Sequence, residues 1–242
     1  MTTRNGRLTA LPILLLAATL FSCNGGDDKK AAPATADTTV TTAPAPAPGK
    51  AFKPFNAMLL THNVKDFKTW ETAFKNDSAA RIANGIKVDL VSRNMDKPNS
   101  VFIATTVDDI TKAKALLADP AMAAAMQKGG VTSKPEAQYF NILRLNMEAK
   151  EKTWVLITHR VKDFDTWLKA YDSEGLAARN AQGMNDAVLG RGIDDPNLVM
   201  IVFDIKDMAK AKAAIASEEK KKLMMSAGVE GMPTITFYKD PE

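Results

Sequence analysis

Apolar residues along the chain alternate between two kinds of run. Met58–His62, Val88–Arg93, Val101–Thr106 and Gln138–Leu145 are short apolar stretches of strand length. Between the first two, Phe67, Trp70 and Phe74 fall at i, i+3 and i+7, which is one face of a helix. Asp66 is a good N-cap for that helix, and Gly85 suits its C-terminus. Asp96-Lys97-Pro98-Asn99 reads as a turn between the second and third strands. Lys112 to Met126 is a second helix, broken at Asp119-Pro120. The predicted order is β-α-β-β-α-β.

The whole series then returns. Thr61-His62-Asn63-Val64-Lys65-Asp66-Phe67-Lys68-Thr69-Trp70 recurs as Thr158-His159-Arg160-Val161-Lys162-Asp163-Phe164-Asp165-Thr166-Trp167. Arg81 and Gly85 return as Arg179 and Gly183, and Arg93 as Arg191. Asp96-Lys97-Pro98-Asn99 returns as Asp194-Asp195-Pro196-Asn197, and Gly130-Val131 as Gly228-Val229. Such self-similarity marks a duplication of one unit of about 90 residues. The polar stretch Asn146–Lys152 joins the copies. Each copy has the order of a ferredoxin-like unit, with helices on one sheet face and the other face left apolar. Val199–Phe203 is apolar at every position, as a strand covered on both sides should be. The expected fold is α+β: two tandem ferredoxin-like repeats, 51–147 and 148–242, packing their bare faces together within one chain as a pseudo-dimeric α/β barrel.

The N-terminus has a different pattern. Arg4 and Arg7 precede Leu8–Phe21, an apolar run too short to span a membrane. It ends in Leu20-Phe21-Ser22-Cys23, which resembles the lipobox of bacterial lipoproteins. Residues 1–22 are therefore expected to be a cleaved signal, with Cys23, the only cysteine, lipidated. Lipidation leaves no thiol for disulfides, metal ligation or nucleophilic catalysis. Asp27-Asp28, just after the cysteine, resembles the surface-export signal of Bacteroidota lipoproteins, and a solvated spacer is the alternative. Ala31–Lys50 is dominated by Ala, Pro and Thr and reads as an extended stalk, so 23–50 tethers the folded part. The expected place is the cell envelope, at the outer membrane, with surface exposure as the further expectation.

Charge excludes a class of partner. Removing Arg4 and Arg7 from 32 basic residues leaves 30 against 28 acidic ones, a charge of only +2. Nucleic acid has no electrostatic footprint here. Lys220-Lys221-Lys222 follows Glu218-Glu219 and reads as a solvated helix face.

The candidate chemistry is sparse. The chain has two histidines, His62 and His159, at equivalent places. In a 4-1-3-2 sheet, His62 and Arg93 end strands on the same rim, about 10 Å apart at two strand spacings. His159 and Arg191 repeat the arrangement. An imidazole and a guanidinium at one pocket mouth suit an acidic or enolic ligand, with His62 and His159 as candidate catalytic bases and Arg93 and Arg191 as ligand-binding groups. The alternative is that His62 caps its strand and bonds Asp66. Arg81 and Arg179 read as surface or joint salt-bridge formers, and Trp70 and Trp167 as core. Two histidines on separate repeats do not make a metal site, and no nucleophile elbow or phosphate loop occurs.

The series of a strand ending in His62, Val64-x-Asp66-Phe67-x-x-Trp70, Arg81, Gly85, Arg93 before Asp96-x-Pro98-Asn99, and Gly130-Val131 resembles the dimeric α/β-barrel superfamily. The likeness covers both repeats and is nearest to antibiotic-biosynthesis monooxygenase-like and stress-responsive A/B barrel proteins. It implies the barrel and, if the chain is an enzyme, monooxygenase-like chemistry. Haem-degrading members use an Asn, a His and a Trp in one pocket. Here Asn63 is Arg160 in the second copy and Trp70 belongs to the apolar stripe, so no cofactor is expected. The first functional expectation is a lipid-anchored, non-catalytic barrel binding a small apolar or acidic ligand between its sheets, as a monomer. The alternatives are a cofactor-free monooxygenase or isomerase, and an envelope-stress or assembly protein acting through partners.

Overall fold

The computed structural model describes residues 52–76 and 78–241; the expected signal, Cys23 and the stalk lie outside them. The first repeat runs β1 (Phe55–Asn63), α1 (Phe67–Asn76), α2 (Ser78–Ala83), β2 (Ile86–Asn94), β3 (Ser100–Val107), α3 (Ile110–Ala118), α4 (Pro120–Lys128) and β4 (Glu136–Leu145). The second runs β5 (Thr153–Val161), α5 (Phe164–Glu174), α6 (Leu176–Ala181), β6 (Met184–Gly192), β7 (Leu198–Ile205), α7 (Met208–Ala216), α8 (Glu218–Ser226) and β8 (Val229–Lys239).

The local signals act as their chemistry requires. Asp66 accepts from the Thr69 N–H and hydroxyl, both at 2.8 Å, at the start of α1. Asp163 accepts from the Thr166 N–H at 2.8 Å. Asp119 ends α3 and caps α4, whose first residue is Pro120. Gly85 and Gly183 have φ of +68° and +78°, and a Cβ on Gly183 would sit 2.7 Å from the Asp207 carbonyl oxygen. Only glycine lets the strand start pack that closely on the β7–α7 junction. Other breaks were not signalled: α1 and α2 are separate helices, Ser217 parts α7 from α8, and Gly175, at φ +81°, parts α5 from α6.

The sheet closes. Its strand order is β1-β3-β2-β8-β5-β7-β6-β4, so each repeat has the 4-1-3-2 order and the two sheets join edge to edge within the chain. The β4–β6 seam runs from Phe140↔Gly192 to Leu145↔Val188. The β2–β8 seam is shorter, Arg93↔Lys239 and Asn94↔Tyr238.

Because side chains alternate across a strand, closure makes two kinds of core. Ala57, Leu59, Phe102, Phe140, Trp154, Met200 and Tyr238 pack inside the barrel. Val199, Ile201 and Phe203 pack outward beneath α5 and α7 with Phe164, Trp167 and Ala211. Val101, Ile103, Leu60 and Val64 do the same beneath α1 with Phe67 and Trp70. β7 is buried on both faces for this reason, as its sequence predicts.

Candidate functional site

The register puts His62 and Arg93 at the same level, since both lie opposite Val101 of β3. His159 and Arg191 both lie opposite Val199. The expected shared rim is therefore present, but the expected pocket mouth is not. His62 follows Leu60 on the helix-covered face, and α1 lays Trp70 over it, leaving the histidine 5% exposed. The rings meet edge to face with centroids 5.4 Å apart; His159 and Trp167 repeat this at 5.5 Å.

Neither nitrogen of either imidazole has a hydrogen-bond partner among the described residues. The alternative bond to Asp66 is not made either, because Thr69 takes that carboxylate. Burial holds both imidazoles down to a pKa of about 4, so they are neutral at physiological pH.

Arg93 and Arg191 are occupied elsewhere. The Arg93 guanidinium lies 4.6 Å from the Phe67 ring centroid and its Nε donates to the Pro98 carbonyl at 2.7 Å. Arg191 sits 4.5 Å from Phe164 and donates to Pro196 at 2.6 Å. Asn99 and Asn197 add side-chain bonds to the Lys65 and Lys162 carbonyls. Gly130 and Gly228 accept from the Lys65 and Lys162 N–H groups. The repeated Arg, Asp-x-Pro-Asn and Gly-Val motifs thus converge on the strand-to-helix junction and lock it.

Each histidine lines a cavity between sheet and helices. The first, of about 80 Å³, also has Leu60, Trp70, Met122, Met126 and Arg81 in its wall. The second has the same volume and includes Trp167, Tyr171, Met224, Glu174 and Lys220. One water needs roughly 10–15 Å³, so each cavity admits a small organic group. Helices α4 and α8, which cover the cavities, contain no fully buried residue.

Two sequence expectations change here. Arg179 is not a surface group: it is 4% exposed, lies over the Tyr171 ring, and makes paired bonds to Asp186 at 2.7 and 2.8 Å. Val88 holds the Asp186 position in the first repeat, and there Arg81 donates to the Phe74 carbonyl. Lys220 is not on a solvated face. It turns inward to pair with Glu174, where the first cavity has Met122.

A third cavity lies inside the barrel, toward the Asn146–Lys152 joint, with a volume of about 610 Å³. A binding space between the sheets was expected from the duplicated apolar face, but not its lining, because the wall is assembled from seven strands and the joint.

No protein-family model matches the sequence, and no curated protein sequence matches it. Solved structures do share the fold. A candidate monooxygenase from Fusobacterium nucleatum subsp. nucleatum matches with a TM-score of 0.52 at 11% identity, covering 79% of this chain and 94% of its own. An anthrone oxidase-like protein matches with a TM-score of 0.51 at 11% identity, over 78% and 92% of the two chains. A candidate chlorite dismutase matches at 0.50 with 13% identity, over 78% and 96%. These likenesses show a shared fold, a closed α/β barrel of two ferredoxin-like halves.

The buried imidazoles make stability depend on pH. Their folded pKa of about 4 lies below the free value of 6.5, so the unfolded chain takes up protons first as pH falls. Stability is then lost from about pH 6.5 downward, by roughly 2 kcal/mol per histidine between pH 7 and 5. Urea unfolding at both pH values should show this loss in the wild type and little of it in the His62→Leu/His159→Leu variant. That variant should be no less stable than the wild type at pH 7, since it removes unbonded polar groups. Equal slopes would contradict the account.

Proposed function

We propose that this chain is a small-molecule enzyme of the cofactor-free monooxygenase or isomerase type, held at a bacterial cell envelope by lipid on Cys23. The observation that carries the catalytic part is the pair of buried imidazoles, each without a hydrogen-bond partner, in matched apolar cavities. Burying a polar group unbonded costs stability, and leucine would fill either place without that cost. Both repeats nevertheless carry it.

The chemistry suited to such a site is proton abstraction. An apolar substrate with an acidic C–H or O–H enters beneath α4 or α8, whose methionines can repack. An imidazole nitrogen takes the proton, and the bond pair stays on the substrate as an enolate or phenolate. The imidazolium forms beside that anion, and their attraction offsets the desolvation that keeps the empty site near pKa 4. An isomerase returns the proton at another carbon; a monooxygenase offers the anion to dioxygen. The shared fold of a candidate monooxygenase and an anthrone oxidase-like protein supports this reading.

A second reading, ligand binding between the sheets without catalysis, is favoured by the cavity of about 610 Å³ inside the barrel. That size is in the usual range for ligand pockets.

Exchange of the acidic C–H protons of 2-tetralone with deuterated water, followed by NMR, tests the catalytic reading. The wild type should accelerate exchange, His62→Leu and His159→Leu should each lower it, and the double variant should fall to the buffer rate. A double variant as fast as the wild type would exclude these histidines as bases. For the anchor, an alkyne fatty-acid label should mark the wild-type protein but not Cys23→Ser, and protease added to intact cells should cut the folded part. An unlabelled wild type removes the anchor from the account; an uncut one removes surface exposure.

A further inference from the structure

The interior cavity has a wall that the histidine chemistry does not use. Its depth is apolar, lined by Leu59, Phe102, Trp154, Met200 and Val202. At the joint end it holds two carboxylates from the second repeat, Asp204 of β7 and Asp240 just past β8. Asp204 is 6% exposed. It accepts the Glu151 N–H at 3.0 Å. Asp240 accepts the Ser92 hydroxyl at 2.5 Å and the Trp154 indole N–H at 2.9 Å. All these donors are neutral.

Among the described residues, no lysine or arginine reaches salt-bridge distance of either carboxylate. Lys87, on the same wall, is bonded to Asp89 at 3.0 Å. Lys150 and Glu151 complete the mouth with opposite charges. The wall therefore has a surplus of negative charge. Burial pushes the Asp204 carboxyl above the usual carboxylate range, and the charge of Asp240 adds to the effect. A buried carboxylate without a cation is costly, and a cation beside it recovers that cost.

We propose that the barrel interior binds an amphipathic organic cation: an amine whose ammonium group lies between Asp204 and Asp240 and whose apolar body fills the space beside Phe102, Trp154 and Met200. The proposal rests on the second reading above, binding between the sheets, and is independent of the histidine cavities.

Three probes with one body and different heads test it on the full chain in maltoside micelles: 4-phenylbutylamine, 4-phenylbutanol and 4-phenylbutyrate. Binding is read from tryptophan fluorescence and from the shift in melting temperature. The amine should bind at least tenfold more tightly than the alcohol, and the carboxylate should not bind. Asp204→Asn and Asp240→Asn, which keep the side-chain shape, should bring the amine down to the level of the alcohol without lowering the melting temperature of the empty protein. If amine and alcohol bind equally, the cation proposal is wrong while binding between the sheets stands. If none of the three binds, both are wrong.

Discussion

A four-stranded sheet with helices on one face leaves its other face apolar and both edge strands unpaired. The protein meets that constraint internally. The second repeat covers the inner face of the first, and the β4–β6 and β2–β8 seams pair the edges. An apolar face and an open edge are what drive sheets to aggregate, and closure removes both. Much else follows from it. Strands such as β7 are apolar on both sides, the outward face becomes a second core under the helices, and His62 and His159 are buried in that core rather than lining a rim.

What the two repeats share and where they differ have separate physical meanings. The shared Arg, Asp-x-Pro-Asn and Gly-Val residues hold the hairpin turn against the start of the first helix through Arg93, Asn99 and Gly130 and their counterparts. They are structural. Two differences bear on charge: Met122 against Lys220 in the cavity walls, and Val88 against Asp186 on the second strand of each repeat. The second repeat thus puts an ion pair, Lys220 with Glu174, in the wall of its histidine cavity, and ties Arg179 to Asp186 nearby. Buried pairs of this kind contribute little net stability when intact, yet removing one partner is expensive, which ties α6 and α8 to fixed positions.

The architecture was legible because its signals are local. The Phe67-Trp70-Phe74 stripe, Asp119-Pro120 and the turn at Asp96–Asn99 each specify an element on their own, and the duplication supplied the pairing. The level of His62 and Arg93 followed from strand order alone. The face on which they lie did not, because Ala57–Leu60 is apolar at every position and gives no alternation to say which side meets the helices. Arg179 does form salt bridges, but its burial was not legible because its partner Asp186 becomes a neighbour only when β6 returns alongside α6. A space between the sheets was legible from the duplicated apolar faces, but its lining was not, since Leu59, Trp154, Asp204 and Asp240 come together only through closure.

The proposed catalysis depends most on two imidazoles that are buried, neutral and without a hydrogen-bond partner among the described residues. Because the chain contains only these two histidines, their ring protons give two resolvable signals in a proton NMR titration of the full chain. Both should remain in the neutral form well below pH 6 and titrate near pH 4. Titration of either near 6.5 would show an imidazole open to water or bonded to a partner, and the site as described here would be wrong.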